Sequence, residues 1–182
     1  MLRKAVLPKG FKASGLYCGI KKSAKLDLGL FFSSIPAIAA AKFTSNSIQA
    51  APLKLAKKYL QKNRYFQAIL ANSGNANCFT GNQGLNDAEF CAKRLAGELG
   101  IKKESIFVSS TGIIGKRLPV NKISSAIPSL VAGLSNDGIN QAKKAILTTD
   151  TFCKEASIKF KLGGKIVTIC AVAKGAGMIA PN

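Results

Sequence analysis

The clearest pattern in the sequence is an amphipathic helix that lies between two short apolar segments. Residues 65–71 and 105–109 are mostly apolar, which predicts a strand on each side of the helix. Gly100 stands where a C-terminal helix cap belongs, just past the last apolar position. Strands and helices that follow one another in this way predict an α/β fold. The apolar face of the helix consists of Leu85, Ala88, Cys91, Ala92, Leu95 and Leu99.

Weaker local signals predict the remaining helices and one buried segment. Pro52 opens a helical stretch, since proline is well tolerated in the first turn. Pro119 begins another helical region, which we expect Pro128 to interrupt because proline has no N–H to donate. Residues 26–32 suit a buried strand or strand pair, and residues 137–146 a helix.

A hairpin is predicted near the end of the sequence. Residues 155–162 alternate between polar and apolar, with Ala156, Ile158, Phe160 and Leu162 expected to face a core. A Gly-Gly pair supplies a two-residue turn. The returning segment, residues 166–173, is almost wholly apolar, as a strand covered on both faces would be. We therefore expect further polypeptide beyond the end of this sequence to complete the fold.

Composition favours a single folded domain over residues 1–182. Hydrophobic residues make up 47% of the chain and charged residues 19%, which is the balance of a globular protein. No apolar run approaches the ~18 residues that a membrane-spanning helix needs, so we expect no membrane association. The first residues lack the apolar core of a secretion signal, and we expect a cytoplasmic location.

The formal net charge of +19 raises the question of nucleic-acid binding. The basic residues are mostly lysines, scattered singly or in pairs, and no arginine-rich tract or aromatic-interleaved signature is present. Scattered lysines are typical of a solvated surface. We therefore expect no nucleic-acid partner, and a basic RNA-binding protein remains the remote alternative.

The cysteine and histidine content limits the chemistry that the chain can perform alone. Its five cysteines are widely spread without a Cys-x-x-Cys pair, so we expect reduced thiols and no metal site. The sequence has no histidine, which excludes a Ser-His-Asp or Cys-His system within it. Any base for acyl chemistry must be a lysine, a carboxylate or an amine supplied from elsewhere.

Three loops rich in small residues are the candidate functional segments, because loops that follow strands commonly carry function. They lie at residues 72–77, 110–115 and 174–177. The first could present many hydrogen-bond donors or be only a self-bonded polar turn. The second could be a simple strand exit. The third resembles a phosphate-binding loop without the P-loop spacing. Taken singly, none of the three identifies a function.

In this order, the three loops and their flanking motifs resemble the ornithine acetyltransferase family, also called glutamate N-acetyltransferase. The resemblance spans nearly the whole chain. Two departures are Cys153, where relatives commonly carry proline, and Cys78, which is a weak nucleophile candidate and is expected to be a buried thiol. The matching strings are Gly-Phe-Lys-Ala-Ser-Gly (10–15), Gly-Ile-Lys (19–21), the asparagine-rich stretch 72–84, Ser-Thr-Gly-Ile-Ile-Gly (110–115), Leu-Pro (118–119), Thr-Thr-Asp-Thr (148–151) and residues 174–182.

This resemblance implies a precursor that cleaves itself just before a threonine, shortly beyond Asn182. The released threonine begins a second, β chain and is the nucleophile. The implied fold is an αββα sandwich of the N-terminal-nucleophile type, completed by that chain, and the implied assembly is a heterotetramer of two α and two β chains. The implied reaction moves an acetyl group from N-acetylornithine to glutamate in arginine biosynthesis.

The same resemblance assigns four site residues. Thr111 and Gly112 correspond to the oxyanion hole, and Thr148 and Lys174 to substrate-binding positions. No cofactor and no metal are implied, and acetyl-CoA remains open as an alternative acetyl donor. A related N-terminal-nucleophile amidohydrolase or aminopeptidase, which would deliver the acyl group to water, is the alternative enzyme.

Overall fold

The computed structural model describes residues 4–176 and has a mixed α/β fold. Strands and helices alternate along the middle of the chain, as predicted. A single 3₁₀ turn at Lys103–Ser105 leads into the fourth strand. In chain order the elements are β1 (Phe11–Leu16), β2 (Leu28–Ile38), α1 (Ala51–Lys62), β3 (Tyr65–Asn75), α2 (Gly81–Leu99), β4 (Ile106–Ile113), α3 (Val120–Ala132), α4 (Ile139–Ala145), β5 (Lys154–Leu162) and β6 (Lys165–Ala173).

Strands β1 to β4 form one sheet in the order β1-β2-β3-β4. The first two pairings are antiparallel, whereas β3 and β4 run parallel with Gly74 opposite Gly112. Helix α2 makes the crossover that a parallel pair requires. Because parallel strands end at the same edge of a sheet, the chain leaves β3 and β4 side by side.

The main hydrophobic core lies between one face of this sheet and helices α1, α2 and α3. Helix α4 packs on the other face, against β1 and β2. Gly15 permits this second contact, since a Cβ there would lie 2.6 Å from the backbone of Gln141. The largest fully buried side chains are Tyr59, Leu28, Leu30, Leu55, Leu70, Leu95, Ile106, Leu118, Ile123, Ile127, Leu130 and Asn77.

Helix α3 does not stop at Pro128, so the predicted interruption is wrong. The helix continues to Ala132 with Pro128 inside it. An interior proline costs a helix ~3 kcal/mol. Three buried side chains, Ile123, Ile127 and Leu130, lie on the same helix face, and each contributes about 1.5–3 kcal/mol on burial. Tertiary packing therefore outweighs the local cost of the proline.

The predicted hairpin is confirmed in its strands and its turn. Strands β5 and β6 pair antiparallel from Lys154–Ala173 to Leu162–Lys165. Gly163 and Gly164 both have positive φ, 55° and 76°, the conformation that a two-residue primed turn needs.

The predicted burial of the hairpin is wrong for this chain. Ile158, Phe160 and Leu162 are 52%, 38% and 66% exposed, and Ile166 of β6 is 71% exposed. The reason is topological: β5 and β6 form a separate two-stranded sheet that does not join the larger one. An apolar surface is thus left uncovered.

An ion pair anchors the base of the hairpin to α4. The Nζ of Lys143 lies 2.7 Å from a carboxylate oxygen of Glu155, and the lysine side chain is only 9% exposed. The other oxygen of Glu155 accepts a hydrogen bond from the N–H of Ala5 at 2.9 Å. The Lys143 ammonium, and then the Ala5 N–H, lower the pKa of Glu155. The hairpin is therefore fixed at its base while its apolar faces stay open.

Within residues 4–176, no helix combines the length and hydropathy that crossing a membrane would take. The same part of the chain holds no group of three histidine, cysteine, aspartate or glutamate side chains placed to bind a metal ion. All its cysteines carry free thiols: Cys18, Cys78, Cys91, Cys153 and Cys170.

Candidate active site

Two of the three candidate loops are in fact the ends of paired strands. β3 continues to Asn75 and β4 to Ile113, beyond the strand ends predicted at residues 71 and 109. Parallel pairing extends both strands, because it provides backbone partners for residues whose side chains favour loops. The hydroxyl of Ser110 donates to Oδ1 of Asn72 at 2.7 Å and joins the two motifs directly.

Gly112 lies where the two strands approach most closely. Its φ is +133°, and a Cβ there would lie 2.6 Å from the backbone nitrogen of Asn75 and closer still to the carbonyl carbon of Gly74. Only glycine fits this position. Gly112 is exposed, and Thr111 beside it is half-buried. A peptide N–H and a hydroxyl at adjacent accessible positions are the kind of donor pair that stabilises an oxyanion.

The asparagines at and after the end of β3 bond within the chain, which favours the self-bonded turn over an open array of donors. Nδ2 of Asn75 donates to the carbonyls of Lys116 and Arg117, both at 3.1 Å. Oδ1 of Asn75 accepts from the N–H of Asn77 at 2.8 Å, and Nδ2 of Asn77 donates to the carbonyl of Gly84 at 2.8 Å. These buried amides hold the segments after β3 and β4 together. The side-chain amides of Asn75 and Asn77 are therefore engaged within the chain.

Asp27 fixes the backbone of the segment that packs beside the end of β3, a role that the sequence did not predict. It is fully buried. Its carboxylate accepts hydrogen bonds from the N–H groups of Cys18 and Ile20, both at 2.7 Å, and of Lys21 at 2.9 Å. The segment it organises packs on Gly74, where a Cβ would lie 2.9 Å from the Ile20 side chain. The one feature in the sequence that could have indicated this role is a single carboxylate directly before an apolar strand.

Lys21 links this segment to the end of α4. Its Nζ donates to the carbonyls of Leu26 at 2.8 Å and Leu147 at 2.7 Å. Burial lowers the pKa of Lys21, and the negative charge of Asp27 opposes that shift. The hydroxyl of Ser73 also bonds to the carbonyl of Ala145. The Thr-Thr-Asp-Thr segment therefore begins beside the end of β3.

Asp150 connects that segment to the third candidate loop. Its Oδ1 accepts from the N–H of Gly175 at 2.6 Å and from Nζ of Lys154 at 2.7 Å. The bond from Lys154, and then that from Gly175, lower the pKa of Asp150 to about 2. Nζ of Lys174 donates to the carbonyl of Gly175 at 2.8 Å. Thr148 and Lys174 thus lie on two segments that one carboxylate holds together.

These contacts form one path that starts at Gly112 and reaches the segments that carry Thr148 and Lys174. Gly112 pairs with Gly74, and a Cβ on Gly74 would lie 3.2 Å from the Lys21 side chain. Nζ of Lys21 donates to the carbonyl of the residue before Thr148. The carboxylate two residues after Thr148 then fixes the peptide that follows Lys174. The rest of the predicted approach to a cleavage site, residues 177–182, lies outside the described residues.

Both the sequence and the fold of this chain match those of known proteins. The model of the ArgJ family matches residues 12–182. The chain belongs to the ArgJ family. The resemblance seen in the motifs is thereby confirmed. Among curated relatives, the ArgJ bifunctional protein of Caldanaerobacter subterraneus is 46% identical over 179 residues, which cover 98% of this chain and 44% of that protein. The glutamate N-acetyltransferase of Methanococcus maripaludis is 44% identical over 178 residues, covering 97% and 42%.

Two solved ArgJ-family structures confirm the predicted α/β fold class. The ArgJ protein of Bacillus halodurans matches with a TM-score of 0.92 and 38% identity, covering 99% of this chain and 94% of that one. The ornithine acetyltransferase of Mycobacterium tuberculosis, solved with ornithine, matches with a TM-score of 0.88 and 34% identity, covering 100% and 99%. The chain spans less than half the length of the curated relatives, 42% and 44% of the two above, but nearly all of each solved chain.

Proposed function

We propose that this chain is the α chain of a glutamate N-acetyltransferase, which moves an acetyl group from N-acetylornithine to glutamate in arginine biosynthesis. The observation that carries the proposal is the path of contacts that joins Thr111 and Gly112 to the segments of Thr148 and Lys174. Donors for an oxyanion and a cation for a carboxylate are what acetyl transfer between amino acids needs. The names and substrates of the ArgJ relatives support the same reaction.

A second chain from the same precursor supplies the nucleophile in this proposal. Its N-terminal threonine carries its own α-amine, whose reference pKa of about 7.7–8.0 suits a general base. The need for such an amine agrees with the lack of histidine in this chain. The uncovered apolar faces of β5 and β6 offer a surface for the second chain, which would complete the αββα sandwich. Two such αβ pairs form a cytoplasmic heterotetramer.

The chemistry then proceeds in two halves. The threonine hydroxyl gives its proton to the α-amine and attacks the acetyl carbonyl of N-acetylornithine. The Thr111 hydroxyl and the Gly112 N–H donate to the resulting oxyanion. The C–N bond breaks, the leaving nitrogen of ornithine takes the proton, and an acetyl-threonine remains. The amine of glutamate attacks that ester by the same route and leaves as N-acetylglutamate.

In this proposal Lys174 and Thr148 bind the α-carboxylate that N-acetylornithine and glutamate have in common. Both substrates carry an α-carboxylate, and an ammonium is a suitable partner for it. The only partner of the Lys174 ammonium among the described residues is the carbonyl of its neighbour Gly175 at 2.8 Å, so the charge is available to a ligand. Acetyl-CoA stays open as a second acetyl donor.

Replacing Thr111 by alanine should lower the rate of acetyl transfer at least tenfold while the fold is kept, because one oxyanion donor is lost. The measurement is the initial rate of N-acetylglutamate formation by the complete enzyme. Ser109→Ala is the matched control, since it removes an exposed hydroxyl from the same strand. A rate for Thr111→Ala equal to that of the control would remove Thr111 from the oxyanion hole.

Expression of the full-length gene should yield two chains that purify together. Intact mass spectrometry is expected to show one chain that ends near Asn182 and a second that begins with threonine. The two masses should sum to that of the precursor plus one water, as hydrolysis of a single peptide bond requires. A fully active protein that remains one uncut chain would contradict the proposed mechanism.

A further inference from the structure

Asp150 is the most constrained carboxylate near the candidate substrate-binding residues. Its side chain is 3% exposed, yet the Lys154 side chain that pairs with it is 38% exposed. Oδ1 accepts both the Lys154 ammonium and the Gly175 N–H. Oδ2 is buried and has no hydrogen-bond partner among residues 4–176. A buried carboxylate with a free oxygen is costly to keep, and a surface ion pair alone does not explain it.

The contact between Asp150 and Gly175 depends on the absence of a side chain at residue 175. A Cβ there would lie 2.7 Å from Oδ1 of Asp150, and the next two nearest atoms belong to the same carboxylate. Gly175 makes two contacts. Its N–H donates to Asp150, and its carbonyl accepts a hydrogen bond from the Lys174 ammonium at 2.8 Å. Movement of Gly175 would therefore move the Lys174 charge.

The carboxylate also acts on the other substrate-binding segment. Asp150 lies two residues after Thr148 in the chain. The pKa of Asp150 is lowered mainly by Lys154 and Gly175, and the backbone of Thr148 makes a smaller contribution. Asp150 thus belongs to the Thr148 segment and accepts a hydrogen bond from the backbone of the Lys174 segment. Neither Thr148 nor Lys174 has a comparable anchor of its own among the described hydrogen bonds.

We propose that Asp150 is a positioning residue for the shared substrate carboxylate: it holds the Lys174 and Thr148 segments at a fixed separation. The inference rests on the proposed acetyl transfer and adds to it a determinant of substrate affinity. Asp150 does not touch the reacting atoms in this scheme. It affects ground-state and transition-state binding alike, so its effect falls on KM rather than on kcat.

The test uses Asp150→Asn in the complete two-chain enzyme, with steady-state kinetics for N-acetylornithine and glutamate. We expect KM for both substrates to rise about tenfold, with kcat changed less than about threefold. The calorimetric Kd of ornithine should weaken by the same factor. Asp137→Asn is the matched control, because it removes an exposed carboxylate and should leave all three constants unchanged.

A second variant tests the same contact from the other side. Gly175→Ala places a Cβ against Asp150 and should raise KM as Asp150→Asn does, and the two changes combined should raise it no further. Lys154→Gln, which leaves the Gly175 contact intact, should have a smaller effect. Unchanged KM in both single variants, or a loss confined to kcat, overturns the inference. Failure of the wild-type enzyme to form N-acetylglutamate would instead overturn the proposed function.

Discussion

Replacing Gly112 by alanine is expected to lower acetyl transfer by at least about 100-fold, the effect of losing an oxyanion donor. Its φ of +133° is a conformation that L side chains rarely adopt, and the added Cβ would meet the backbone of β3 2.6 Å from the nitrogen of Asn75. The strand ends must separate to relieve this overlap. The N–H of Gly112 then moves away from the place where charge develops, and Thr111 moves with it.

Gly115→Ala is the control that separates the overlap with the β3 backbone from the strain of a positive φ. Gly115 also has positive φ, +78°, and belongs to the same motif, but a Cβ there would meet no atom within 4 Å. We expect its rate to stay within about threefold of wild type. The rates of N-acetylglutamate formation by both variants are the measurement, with native mass spectrometry to confirm assembly. Equal rates for the two variants would mean that the close approach of β3 and β4 has no part in catalysis.

Replacing Asp27 by alanine is expected to cost about 3–5 kcal/mol of stability, because three backbone N–H groups lose a charged acceptor at once. Those groups belong to Cys18, Ile20 and Lys21 and lie 2.7–2.9 Å from the carboxylate. Urea denaturation followed by circular dichroism gives the free energy of unfolding. Activity should fall as well, since the Ile20–Lys21 segment packs on Gly74.

Two comparison variants sharpen the stability measurement. Asp27→Asn keeps one carbonyl oxygen and should lose less stability than alanine, since some of the donors keep an acceptor. Asp137→Ala removes an exposed carboxylate and should change stability by less than about 0.5 kcal/mol. A loss for Asp27→Ala no larger than that of Asp137→Ala would show that the three bonds contribute nothing net.

Elements with strong local signals were predictable from the sequence. Helix α2 ends at Leu99 with Gly100 in the left-handed conformation at φ 66°, as its apolar periodicity and glycine indicated. The Pro52 position in the first turn of α1 and the Gly-Gly turn of the hairpin were predicted for equally local reasons. These features depend on a few neighbouring residues, whose conformational preferences are the same in any fold.

Features that depend on distant parts of the chain were not predictable. Strand β1 went unrecognised, and β3 and β4 each extend four residues further than predicted, because sheet pairing supplies the missing stabilisation. The three bonds to Asp27 join residues six to nine positions apart through a loop without periodicity. Burial of the hairpin was mispredicted for a related reason, since alternation indicates an apolar face without showing what covers it.

The candidate site was predictable only in part. Family resemblance placed Thr111, Gly112, Thr148 and Lys174 on its motifs, and their catalytic and binding roles stay predictions. Neither the resemblance nor the residues alone indicated how the motifs meet. That arrangement follows from the parallel register of β3 and β4 and from the side chains of Lys21 and Asp150, which span the gaps between segments.

The close approach of Gly74 and Gly112 limits how this family can vary. The obstacle to a larger residue at 112 is main chain, and every amino acid has the same main chain. No compensating substitution elsewhere can therefore make room for it. The obstacle at Gly175 is the side chain of Asp150, which a shorter residue would remove. The first glycine is thus expected to be fixed in all active descendants, whereas the second can change sterically together with its aspartate, at the higher KM expected for loss of Asp150.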